Sequence, residues 1–197
     1  MSKMESEWRG RSEIIPRQYT CAHCERDIGA HRGYFKGESA AKPKEAIYIC
    51  PYCDQITYFF QTKQVPSPPF GGKVKHLPDD IEKLYNEARE CTSVNAFTAT
   101  IMACRKILMH IAVQKEAKPG DKFANYVDYL AEKNYVPPGC KVWVERIRTK
   151  GNEANHEIVI MKKEDAEDLL NFLEMLLKFM YEFPGKLAPP TKEGETS

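Results

Sequence analysis

No stretch of the 197-residue chain reaches the roughly 18 consecutive apolar residues of a membrane span, so no membrane partner is expected. The first ten residues, Met1 to Gly10, are polar and charged and lack the apolar centre of a secretory signal. Charge of one sign is also missing. The 29 basic and 28 acidic side chains leave a net +1, which excludes a globally basic nucleic-acid binder but not a local basic face. There is no internal repeat. The seven cysteines are odd in number and come without an export signal. That points to a reducing, cytoplasmic setting in which metal binding is expected before disulfides. Apolar residues make up 42% and charged residues 29%, enough apolar surface to exclude a wholly disordered chain.

The character of the chain changes near residue 70. Val65-Pro66-Ser67-Pro68-Pro69-Phe70-Gly71-Gly72 joins prolines to a Gly pair and reads as a linker, placed at 65–76. Residues 1–76 carry 12 Lys/Arg and 8 Asp/Glu, net +4, whereas residues 77–197 carry 17 and 20, net −3. Ahead of the linker, Ala46–Ile49 and Ile56–Phe60 are β-branched and aromatic, which favours strands, and Gly33–Phe35 is a third candidate. So few apolar residues cannot fold about 60 residues unaided.

Past the linker the pattern is helical. Pro78-Asp79-Asp80 can open a helix carrying Ile81, Leu84, Tyr85 and Ala88. Phe97, Ile101, Cys104, Leu108 and Ile111 mark a second helix, and Phe123, Val127 and Leu130 a third. Pro137-Pro138 can open a fourth, through Trp143 and Ile147. A fifth begins near Glu164-Asp165, with acids at its positive end. In this fifth segment eleven of the fifteen residues from Leu169 to Phe183 are apolar, leaving Asn171, Glu174, Lys178 and Glu182 as one narrow polar stripe. Such a helix is either the centre of a bundle or packs partly on a second subunit. The polar, Pro-rich segment 184–197 reads as a flexible tail.

The most specific motif is Cys21-Ala22-His23-Cys24 with Cys50-Pro51-Tyr52-Cys53. Two CxxC pairs supply four thiolates, and a structural zinc ion prefers such a closed tetrahedral shell. Zn2+ would then stand in for the missing core of a zinc ribbon over 15–64, because its binding energy becomes folding energy. His23 and His31 could substitute as ligands, but Cys21, Cys24, Cys50 and Cys53 suffice. Cys91, Cys104 and Cys140 read as small core residues. Arg17, Arg26, Arg32, Lys36, Tyr34 and Tyr58 are candidates for presenting the ribbon to nucleic acid or protein.

The second notable segment is Arg148-Thr149-Lys150-Gly151-Asn152-Glu153-Ala154-Asn155-His156. On a helix Asn152 and His156 share a face, with Arg148 one turn earlier. Such a trio can bind a phosphate, with His156 as acid or base. The alternative is that Gly151 caps a helix and that Asn152 and His156 hold a turn.

The ordered set of the two CxxC pairs, Leu77-Pro78, Tyr85-x-x-Ala88, Ala103-Cys104-Arg105-Lys106-x-Leu108 and Ile147-Arg148-x-x-Gly151-Asn152-x-x-x-His156 resembles the bacterial domain-of-unknown-function family four-one-four-five, and through it the HEPN helical superfamily. The resemblance spans about residues 15–183. It implies an all-helical bundle over 77–183, often dimeric, and RNA as the target. Many members of that superfamily are metal-independent endoribonucleases of prokaryotic or phage conflict and defence systems, and others have lost catalysis. Residue by residue, it implies Asn152 and His156 in the catalytic set, with Arg148 as its Arg. Apart from the resemblance, Arg105 on the second helix could supply a phosphate-binding guanidinium by folding over the site, or form an internal ion pair. The chain departs from the pattern in having Gly151 directly before Asn152 and seven residues between Arg148 and His156.

The expected fold is therefore mainly α, a HEPN-like bundle preceded by a small β zinc ribbon. The expected function is RNA-directed, as an endoribonuclease or its lapsed RNA-binding relative. The alternative is a non-catalytic module in which the zinc ribbon docks a partner protein and the fifth helix drives homodimerisation.

Overall fold

The computed structural model describes residues 8–137, 139, 143–145, 147 and 161–187. Five strands form one antiparallel sheet in the order β1-β2-β3-β4-β5: β1 Trp8–Thr20, β2 Asp27–Lys36, β3 Glu45–Ile49, β4 Ile56–Phe60 and β5 Lys63–Val65. Helices follow: α1 Asp79–Ser93, α2 Phe97–Gln114, α3 Phe123–Glu132 and α4 Lys163–Leu177. Lys178–Glu182 continues α4 as a wider π turn, and α5 is Phe183–Leu187. Trp143–Glu145 and Ile147 are also helical.

The mainly-α expectation is corrected to a mixed α and β fold. The β portion is larger than a small hairpin because β1 and β2 are long, at 13 and 10 residues. The β1 sequence hides its strand. It is polar, and Pro16 falls inside it. Pro is accepted because β1 is an edge strand whose register against β2 slips between Glu13 and Arg17. In that slip the Ile15 N–H turns to the Ala40 carbonyl at 2.9 Å.

Two compact units result. One ends at Pro69 and takes in Thr92–Asn95; the other begins at Phe70. In the β unit, alternation puts Ala46, Tyr48, Thr57 and Phe59 in the core. Tyr19, Tyr48 and Phe59 pack as tilted or edge-on rings, with centroids 5.0 to 6.2 Å apart. Gly33 lets β2 and β3 close, since a Cβ there would lie 1.8 Å from the Ile47 oxygen.

In the helical unit, α2, α3 and α4 bury Ile101, Leu108, Ile111, Val127, Leu170, Leu173 and Leu177 around one core. The stripe of Glu174, Lys178 and Glu182 does not simply face water. The Glu174 carboxylate accepts the Gly72 N–H at 2.8 Å, and Glu182 accepts the Lys75 N–H at 3.1 Å. Three extended residues span about 10 Å and eight helical ones rise about 12 Å, so the spacings match. Tyr85 donates to the Gly72 carbonyl (2.8 Å) and Arg89 to that of Gly71 (2.7 Å). Gly71 has φ +77, and a Cβ there would stand 2.9 Å from Glu174, so the Gly pair is pinned here by its fit.

Candidate metal centre

Each CxxC is the turn of a hairpin. Cys21–Cys24 follows β1 and leads into β2, and Cys50–Cys53 follows β3 and leads into β4. Because β2 and β3 run antiparallel, both turns fall at one end of the sheet. They repeat one backbone pattern. The Glu25 N–H donates to the Cys21 carbonyl (2.8 Å), and the Asp54 N–H to that of Cys50 (3.1 Å). The Cys21 and Cys50 N–H groups donate to the Arg26 and Gln55 carbonyls, both at 2.9 Å. The residue after each second cysteine is left-handed, Glu25 at φ 58 and Asp54 at φ 56.

The result is a cluster in which the four sulfurs lie within 4.8 Å of one another. Cys21 to Cys53 and Cys24 to Cys50 are both 3.8 Å. A tetrahedral shell with Zn–S bonds of about 2.3 Å has edges of about 3.8 Å, so the donor set and its size fit a zinc ion. Cys21 and Cys50 are fully buried, and Cys24 and Cys53 partly so.

Burial pushes up the thiol pKa of Cys21 and takes that of Cys53 to about 12. Burial also works against the Cys50 thiolate, but N–H groups of Tyr52 and Cys53 aimed at its sulfur carry it down to about 7. An ion taken up here binds thiolates and so releases protons. The surroundings tie the two turns together. His23 donates from Nε2 to the Ile56 carbonyl (3.2 Å), and the Arg26 guanidinium lies 5.0 Å from the Tyr52 ring centre. His23 is thus engaged with backbone, and His31 is exposed on β2. Among the described residues the four cysteines are the cluster able to hold a metal ion.

The other candidates separate. Arg17 stacks 3.9 Å over Phe59 and donates to the Gln61 carbonyl (3.1 Å), a supporting role in the sheet. Tyr34, Lys36 and Tyr58 share the sheet face opposite the core. Arg105, on α2, is 5% exposed, and its guanidinium lies 4.3 Å over the Phe123 ring. Burial lowers its pKa, so it is a packed cation in the helical core. Arg148, Asn152 and His156 lie outside the described residues, as does Cys140. Leu173, Leu176 and Leu177 are buried, whereas Phe179 and Phe183 are 42% and 50% exposed. The left-handed acids after each CxxC and the inward-facing Glu174 and Glu182 were not foreseen. Of these, only an Asp directly after a CxxC carries a readable signal.

Fold and site together define a two-unit protein, a β unit with a four-cysteine cluster able to hold a metal ion such as zinc, and a helical unit. Residues 86–193, more than half of the chain, match the family model described as "Domain of unknown function (DUF4145)", and the chain belongs to that family. The match begins within α1, after the four cysteines. No curated protein and no solved structure matches the chain significantly. Among the described residues no helix is long and apolar enough to cross a membrane.

Proposed function

We propose that the chain is a zinc-clasped, RNA-directed protein of HEPN-like kind, a binder whose cutting chemistry has lapsed. The observation that carries its zinc-clasped part is the four-cysteine cluster at one end of the sheet. With four protein ligands filling the shell, no coordination position is left for water or substrate. Zinc there holds a surface in shape and performs no chemistry. Cys21, Cys24, Cys50 and Cys53 are its ligands.

The reading of RNA as the target draws its support from the resemblance of the helical segment and from the net +4 of residues 1–76. Two features speak for a lapsed nuclease. Arg105 is buried, with its guanidinium over the Phe123 ring. Seven residues separate Arg148 from His156, and Gly151 stands where an Arg before Asn152 would be expected.

The test incubates total RNA and tRNA with wild type and His156→Ala, without added divalent ion, and measures binding and cleavage together. Retention of RNA by both proteins without cleavage is the expected result. Cleavage by wild type that disappears in His156→Ala would make the chain a metal-independent endoribonuclease with Arg148, Asn152 and His156 as its active site. Absence of both binding and cleavage would remove RNA from the reading.

A further inference from the structure

The sheet has a second face. Residues opposite one another in register share a side, so Tyr34, Ile47, Tyr58 and Val65 form one row across β2, β3, β4 and β5. Lys36, Glu45, Phe60 and Lys63 form the next row, and Ile49 with Ile56 a third. None of these belongs to the core of the β unit. Ile56 is 55% exposed, Phe60 45%, Val65 39% and Tyr34 37%. Exposed apolar and aromatic side chains grouped on one face of a small sheet suit a contact surface.

Charge selects the occupant. The Glu45 carboxylate is engaged by Lys36 at 3.5 Å and by the Tyr58 hydroxyl at 2.8 Å. The same end of the sheet carries Lys63, and the Lys44 N–H bonds the Lys36 carbonyl at 2.8 Å, which brings Lys42 and Lys44 to that end as well. Four lysines there stand against Glu38 and Glu45. Tyr58 and Phe60 sit about 7 Å apart along one strand, and Tyr34 about 10 Å away across two. Rings spaced for separate bases, bordered by cations for phosphates, are what an unpaired strand requires.

We infer that this face, through Tyr34, Tyr58 and Phe60 with Lys36 and Lys63, binds single-stranded RNA by stacking. The inference rests on the RNA-directed reading above and adds the site to it. The metal sits at the opposite end of the strands, so it holds the platform without touching the ligand.

The experiment is fluorescence anisotropy of a labelled 12-nucleotide oligouridylate with the full zinc-loaded chain, beside Tyr34→Ala, Phe60→Ala and Lys63→Glu. Each aromatic removal is expected to weaken binding about tenfold. Lys63→Glu is expected to weaken it and to flatten the log–log salt dependence by about 0.7 or more. Unchanged affinity in folded variants, with wild type binding, would overturn the site and leave the RNA reading standing. No binding by wild type would overturn both. Tighter binding of oligodeoxythymidylate would overturn the assignment to RNA, and competition by polyglutamate as effective as unlabelled RNA would move the face to an acidic protein partner. Should Phe60→Ala fail to fold, Lys63→Glu, on an exposed residue, still decides.

Discussion

The β unit gathers nine buried residues into its core, two of them cysteines, while the helical unit gathers 26, both among the described residues. Per residue the helical unit buries enough apolar surface to hold itself by packing. The β unit does not, and its two knuckles bring four thiols to within 4.8 Å of one another at one end of the sheet. One region is a packed solid, and the other is a sheet with a light core and four thiols gathered at one end. A small sheet with so light a core would depend on a metal at that cluster, rather than on a second layer, for folding energy.

The largest effect is expected of Cys50→Ser. It removes one fully buried thiol of the four-cysteine cluster, a site whose metal binding would contribute on the order of 10 kcal/mol in all. The β unit is expected to lose zinc and become protease-sensitive while the helical circular dichroism persists. Loss of both signals together would show that the units fold as one. Next in size is Leu173→Ala, in the fully buried centre of α4, with a cost of about 3 kcal/mol. Urea unfolding followed by helix signal should shift by that amount, at unchanged zinc content.

The smallest effect concerns acid. The Glu182 pKa is lowered, first by its bond from Lys186 at 2.6 Å and then by the Lys75 N–H. A carboxylate held below its unfolded value adds stability above that value and loses it as pH falls through the folded one. The urea midpoint of wild type should therefore fall in acid below the ordinary glutamate range, and that of Glu182→Gln should fall less. Parallel curves for the two proteins would remove Glu182 from the account.

The cysteines were legible because ligand chemistry demands a residue type at a spacing, and both turns kept that spacing. The helices of Ile81, Ile101 and Phe123 were legible because their apolar period matches a buried face. The strand Trp8–Thr20 was not, since an edge strand tolerates polar residues and a proline that periodicity counts against it. Nor was the role of Glu174 and Glu182. A carboxylate repeated along a helix looks the same in sequence whether it meets water or a backbone N–H. Gly71 and Gly72 read as freedom for the same reason, although their lack of side chains is what lets Tyr85, Arg89 and Glu174 reach their backbone.

The π turn has a consequence for phase. In an unbroken α-helix, residues seven apart return to within about 20° of one direction, whereas residues eight apart are rotated by about 80°. Glu174 and Glu182 are eight apart and still accept from two amides only three residues apart, those of Gly72 and Lys75. The wide turn at Lys178–Glu182 absorbs the difference, so the pair behaves as a heptad with one residue looped out. It works as a phase shifter: the helix can carry a surplus residue there and still deliver its second carboxylate on time.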